Sequence, residues 1–145
     1  MLNVKIIPFA IDHVDLINHK IKYSSLAELK NEIFIYEDSG EKGVTCLIDD
    51  RVIFSCGLKR VNAGVGHVWV VPSIYCDTHK IFTCKTIKHL LEKHAKDFKL
   101  HRIQTTIEPE FVKWIEFLGF KKESILKQVK ADKTDLFFYA KFYDN

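Results

Sequence analysis

The stretch that decides the fold is Arg102–Leu126, RIQTTIEPEFVKWIEFLGFKKESIL. Its first part, read from His101 to Ile107, has the residue types of a strand. Glu108-Pro109 then opens a helix, with proline in the first turn where its missing N–H costs nothing. Phe111, Trp114, Ile115 and Leu118 mark one helical face at i, i+3, i+4 and i+7. Gly119 follows as the helix-ending glycine, and residues 121–128 begin a new strand. A last strand is expected over 135–142, after the polar turn Ala131-Asp132-Lys133-Thr134.

Working back from this stretch, a helix is expected from Asp77 or Thr78 to Phe98. Ile81, Cys84, Ile87, Leu91, His94 and Phe98 step by three or four, and Leu90 and Ala95 widen the stripe. GHVWVVP (66–72) reads as a strand that Pro72 stops. The clearest hairpin lies over 43–60: Val44, Cys46 and Ile48 alternate, Asp49-Asp50-Arg51 turns, and Val52, Phe54, Cys56 and Leu58 alternate again. Residues 2–8 read as a first strand. From Asp12 to about Ile33 apolar residues fall at helical intervals, broken at Tyr23-Ser24-Ser25 into two short helices with a serine capping the second. The order is therefore β-α-α-β-β-β-α-β-α-β-β, a mixed α/β (α+β) sheet. The strand–helix–strand passage around residues 66–107 demands a parallel pair at its centre.

The bulk properties fit one soluble domain spanning 1–145. A chain of 145 residues buries roughly 68–70% of its unfolded surface, enough for its own core. Net charge is only +3. Basic residues thicken between Lys80 and Arg102, which reads as a solvated helix face; nucleic acid is not the expected partner, since that footprint needs clustered charge. Cysteines 46, 56, 76 and 84 have neither C-x-x-C spacing nor a matching histidine cluster, so no metal site is expected. Cys46 and Cys56 could face each other across the hairpin, but four free buried thiols in a reducing cytosol is our reading. No segment approaches the roughly 20 apolar residues of a membrane span, so a cytoplasmic protein without a membrane partner is expected.

The element order, the Leu118-Gly119-Phe120 helix end and the final strand Phe137–Phe142 together resemble the GNAT acyltransferase superfamily. Within it, His67-Val68-Trp69-Val70 and the run Lys113–Phe120 resemble a divergent phage-encoded branch, an internal virion protein of short-tailed phages. The resemblance implies that acetyl-CoA or another acyl-CoA lies where two neighbouring parallel strands splay apart. The strand at Val70 and Val71 would offer backbone groups to the pantetheine arm. His79, Lys80 and Ile81, at the following helix start, would meet the pyrophosphate. An amine would be the acceptor, and either the host cytosol or a virion the location.

Four positions depart from the superfamily's pattern. The loop over 72–85 contains no glycine, and Asp77 places a carboxylate where an anion would bind. Glu108 stands where the family often has an asparagine touching the cofactor. Ile115 replaces an acid tyrosine, and Gly64-Val65-Gly66 replaces a glutamate base. His67 is the titrating group closest to where a base is needed, or else a half-exposed strand histidine. Tyr139 is a candidate proton donor, or a packed aromatic. Glu108 is a candidate cofactor contact, though capping the helix at Pro109 is the stronger expectation. Trp69 and Trp114 read as core, and Cys76 as an inert thiol. These departures admit a non-catalytic reading beside the enzymatic one: a virion component or protein-binding module with a phage or host protein as partner.

Overall fold

A computed structural model describes residues 2–17, 19, 30 and 43–144. Strands β1 (Val4–Pro8), β2 (Val44–Ile48), β3 (Arg51–Asn62), β4 (Val65–Pro72), β5 (Arg102–Ile107), β6 (Lys121–Leu126) and β7 (Leu136–Phe142) are joined by helices α1 (His13–Leu16), α2 (Lys80–Asp97) and α3 (Val112–Phe117). The sheet has seven strands in the order β1-β2-β3-β4-β5-β7-β6. Apart from the second N-terminal helix, which lies outside the described residues with its serine cap, this is the order expected from sequence. The described chain divides into two compact units, one comprising residues 1–60 and 68–83, the other 61–67 and 84–145.

In the first unit the β2–β3 turn has both central residues, Asp49 and Asp50, at positive φ (50° and 65°). That is the turn whose twist matches a two-residue hairpin. Asp49 earns its place beyond the backbone, because its Oδ1 accepts from the Asn3 N–H at 3.0 Å. The register sets Cys46 opposite Phe54 and Cys56 opposite Val44, so the two cysteines do not face each other. All four cysteines are free and buried. Burial pushes the Cys46 thiol up to about 11 and, with the neighbouring Cys46 adding, Cys56 to about 12, so neither supplies a thiolate near neutral pH.

Val14 and Ile17 pack against Val52, Trp69 and Val71, with Phe9, Ile11 and Leu47 closing the rim. This apolar burial is what fixes the short helix α1, since four residues cannot hold a helix by propensity alone. Gly57 makes room for Trp69: a Cβ there would sit 2.6 Å from the indole. Beside this core, Thr45 and Ser55 are fully buried and hydrogen-bonded to each other at 2.8 Å, and Thr45 Oγ1 lies 2.7 Å from His13 Nδ1. Two buried hydroxyls are thereby satisfied where water does not reach.

The second unit holds the parallel pair. β4 and β5 are in register at Val65–Arg102, Gly66–Ile103 and His67–Gln104. β4 runs on to Pro72 and β5 to Ile107. β5 pairs antiparallel with β7 along its whole length, and β7 with β6 around a bulge at Lys122/Ser124. The 109–118 helix is split: Pro109–Phe111 is a 3-10 turn and only Val112–Phe117 is α-helical. Gly119, at φ +93°, ends it as expected. Lys141 reaches under that glycine and donates to the Leu118 carbonyl at 3.0 Å, satisfying a carbonyl that the helix end leaves open.

Candidate functional site

Register decides which candidate side chains share a face, because partners directly across a ladder point the same way and neighbours along a strand point oppositely. His67 is paired with Gln104, and Gln104 with Ala140. Tyr139 is paired with Thr105 and Lys122. His67 and Tyr139, the two residues singled out for proton transfer, therefore lie on opposite faces of the sheet.

On its face Tyr139 is 1% exposed, and its hydroxyl donates to Glu116 Oε2 of α3 at 3.1 Å. Burial, and then the Glu116 carboxylate, push the phenol above its usual range. The hydroxyl ties β7 to α3. Ile115, at the position of the missing tyrosine, is buried core.

On the other face His67 is half-buried, and burial holds its imidazole below the usual histidine range. A neutral imidazole near pH 7 is the state a general base requires. Its register partner Gln104 is engaged from the far side: Arg102 Nε donates to Gln104 Oε1 at 2.9 Å. The Arg102 guanidinium is itself gripped by Glu123, whose two carboxylate oxygens accept from both terminal nitrogens. It also lies against the rings of Phe138 and Phe142, at 5.9 and 5.5 Å. Each of the three guanidinium nitrogens is thus in use, the fork geometry that distinguishes arginine from lysine.

The candidate cofactor residues divide by unit. In the first, Val71 is buried with Trp69, whereas Val70 is 36% exposed. Beyond Pro72, Ser73 caps the 3-10 turn Ile74–Cys76, its side chain accepting from the Tyr75 N–H at 3.1 Å. α2 starts only at Lys80, later than the periodicity placed it. His79 is half-buried, Lys80 exposed and Ile81 69% exposed. In the first turn of α2, Thr83 Oγ1 is buried without a hydrogen-bond partner among the described residues. An orphaned hydroxyl beside a helix start with His79 and Lys80 suits an anionic ligand.

In the second unit, Glu108 corrects the capping expectation: it makes no side-chain bond to the turn it precedes. Its carboxylate instead pairs with Lys130 Nζ at 2.7 Å. The hydrogen bond to Glu108 raises the Lys130 ammonium above its ordinary value. Lys130 is presented by a loop braced by Asp135, which accepts from the Gln128 N–H, and by Asp132, which accepts from Thr134.

Sequence reasoning missed Gln104, Arg102 and Glu123. The alternation in 102–107 already placed Arg102 and Gln104 on one face; nothing in the sequence paired that face with His67. Among the described residues, no group of three or more His, Cys, Asp or Glu stands together as a metal site. No described helix is long and apolar enough to cross a membrane.

Solved structures share this fold. A chimera of Vibrio cholerae spermidine N-acetyltransferase SpeG and hSSAT is 16% identical, with TM-score 0.71, over 96% of this chain and 95% of that one. A GNAT-family acetyltransferase from Bacillus anthracis is 16% identical, with TM-score 0.68, over 96% and 94%. Ard1 from Thermoplasma volcanium is 9% identical, with TM-score 0.75, over 98% and 99%. No protein-family model matches the chain, and no curated protein matches it. At these identities the likeness establishes the fold, that of the GNAT acetyltransferases.

Proposed function

We propose that the chain is a single-domain, acyl-CoA-dependent N-acyltransferase in which His67 is the general base. The observation that carries the reading is the parallel β4–β5 pair, in an acetyltransferase fold, with a half-buried histidine on it whose imidazole burial holds below the usual range. Acyl-CoA supplies an activated thioester carbonyl. Within the first unit, the backbone at Val70 and Val71 and the α2 start at His79, Lys80 and Ile81 are the groups that would hold it. The amine nitrogen of the acceptor bonds to the carbonyl carbon, and the carbon–sulfur bond breaks. The proton lost by nitrogen passes to the His67 imidazole, while the departing thiolate takes one from solvent. Tyr139 keeps its place under α3 and has no part in this scheme.

Thermal-shift titration with acetyl-CoA and longer acyl-CoAs tests the reading. A ligand at about 100 times its Kd stabilises by about 2.7 kcal/mol, which for a domain of this size is a rise of roughly 5–10 °C. No shift with any acyl-CoA would refute it.

A second reading is favoured by the glycine-free loop and the buried Ile115. A chain without these family groups would serve as a protein-binding part or a virion component. It requires no acyl-CoA binding and a stable complex with a phage or host protein. The same titration therefore separates the two.

A further inference from the structure

We infer that Arg51 holds the ribose phosphate of the acyl-CoA donor, with its guanidinium laid against the ring of Tyr75. The inference rests on the acyl-CoA reading of the α2 start, and its geometry lies wholly within the first unit.

Arg51 opens β3, directly after the turn made by Asp49 and Asp50. Its guanidinium carbon lies 4.3 Å from the centroid of the Tyr75 ring, a cation–π contact that draws the group onto the aromatic face. The residue that carries the ring is itself fixed. Ser73 Oγ accepts from the Tyr75 N–H at 3.1 Å. The Ile53 carbonyl, two residues after Arg51, accepts from the Ser73 N–H at 3.0 Å and from the Cys76 thiol at 3.2 Å. The 3-10 turn bearing Tyr75 is therefore tied to the strand that bears the arginine. Both neighbouring carboxylates are engaged elsewhere: Asp49 accepts from the Asn3 N–H, and Asp50 pairs with Lys5 at 3.5 Å. Among the described residues Arg51 has no hydrogen bond or ion pair, only the ring. Arg102, by contrast, commits every nitrogen to Glu123 and Gln104. An exposed guanidinium ordered by an aromatic face suits a bidentate oxyanion.

Its place in the fold says which oxyanion. The Tyr75 carbonyl accepts from the Thr78 and His79 N–H groups at 3.2 and 3.3 Å, so Tyr75 stands one turn ahead of the α2 start. There His79, Lys80 and the orphaned Thr83 hydroxyl suit the pyrophosphate. Acyl-CoA carries a further, separate phosphate on its ribose, a few bonds beyond the pyrophosphate. The loop over 72–85 has no glycine and carries Asp77, so its own backbone gives phosphates a poor cradle. A cation brought in from β3 supplies what that loop lacks.

The test is calorimetric titration of the intact protein with acetyl-CoA and with acetyl-dephospho-CoA, which lacks only that phosphate. The wild-type chain is expected to bind acetyl-CoA about tenfold more tightly than the dephospho form, as one charged hydrogen-bonded pair gives. Arg51→Gln should erase the preference by weakening acetyl-CoA alone. Arg51→Lys should restore part of it, since an ammonium keeps the charge without the fork. Tyr75→Leu should reduce it, because the guanidinium loses its support. Equal affinities in the wild-type chain, or an Arg51→Gln protein that keeps the preference, overturn the inference and leave the acyl-CoA reading standing. Absence of binding by both ligands refutes that reading and the inference with it.

Discussion

Replacing Gly119 with alanine tests why the Leu-Gly-Phe helix end has the residue it has. Two separate costs are readable from its surroundings. Gly119 sits at φ +93°, where a Cβ meets the following carbonyl; for non-glycine residues the left-handed region costs roughly 1–2 kcal/mol. The new Cβ would also lie 3.2 Å from Lys141 Nζ and 3.3 Å from Cε. That crowds the ammonium off the Leu118 carbonyl, to which it donates at 3.0 Å. A hydrogen bond of this kind contributes about 1 kcal/mol net. Together the expected loss is about 2–3 kcal/mol, a large share of the roughly 5–15 kcal/mol that holds a typical domain. In urea unfolding this lowers the midpoint by about 1 M or more with the slope unchanged. Lys141→Ala separates the two costs. In that background Gly119→Ala should cost only the backbone part, about 1–2 kcal/mol. An identical loss in both backgrounds would refute the contact argument. A loss under about 0.5 kcal/mol in either would refute the backbone argument as well.

Two other outcomes are expected. Gly57→Ala drives a methyl to 2.6 Å from the Trp69 ring; it should destabilise by about 1–3 kcal/mol and alter tryptophan emission, and a variant as stable as the parent would show that the indole yields freely. His67 and His94 both titrate below the usual range, in each case chiefly through burial. The unfolded chain then binds protons that the folded one refuses, so stability is full above the unfolded value of about 6.5 and declines as pH falls through it. Denaturation at pH 8 and pH 5.5 should show that decline, and it should flatten in His67→Gln; a steeper loss in the variant would reverse the assignment.

The sequence made the elements legible wherever local physics sets them. The Asp49-Asp50 turn, the stop at Pro72 and the helix end at Gly119 each follow from backbone preferences of a few residues. Alternation likewise placed Trp69 in a core. Long-range partners were not legible. Glu108 precedes a proline-opened turn and looks like a cap, but its carboxylate goes to Lys130, twenty-two residues on, in a loop with no periodicity to announce it. The helix start suffered similarly. The periodicity starts it at Asp77 or Thr78, whereas Ser73 caps a preceding 3-10 turn and α2 begins at Lys80.

The candidate site shows the same limit most sharply. Each strand's own alternation is readable, so that His67, Gln104 and Tyr139 each have a known parity along β4, β5 and β7. Function depends on how those parities are joined. A shift of one residue in either ladder would exchange the faces: Tyr139 would come round beside Gln104, or His67 would turn to the α3 side. No local feature sets that shift, because β4 and β5 are separated by the whole of α2, and β5 and β7 by α3 and β6. What fixes the β5–β7 register is burial on one face and charge on the other. Ile103 and Tyr139, 0% and 1% exposed, must lie on the buried face, and this puts Arg102 and Gln104 on the other. The chemistry proposed for His67 is thus decided by core residues on the opposite side of the sheet.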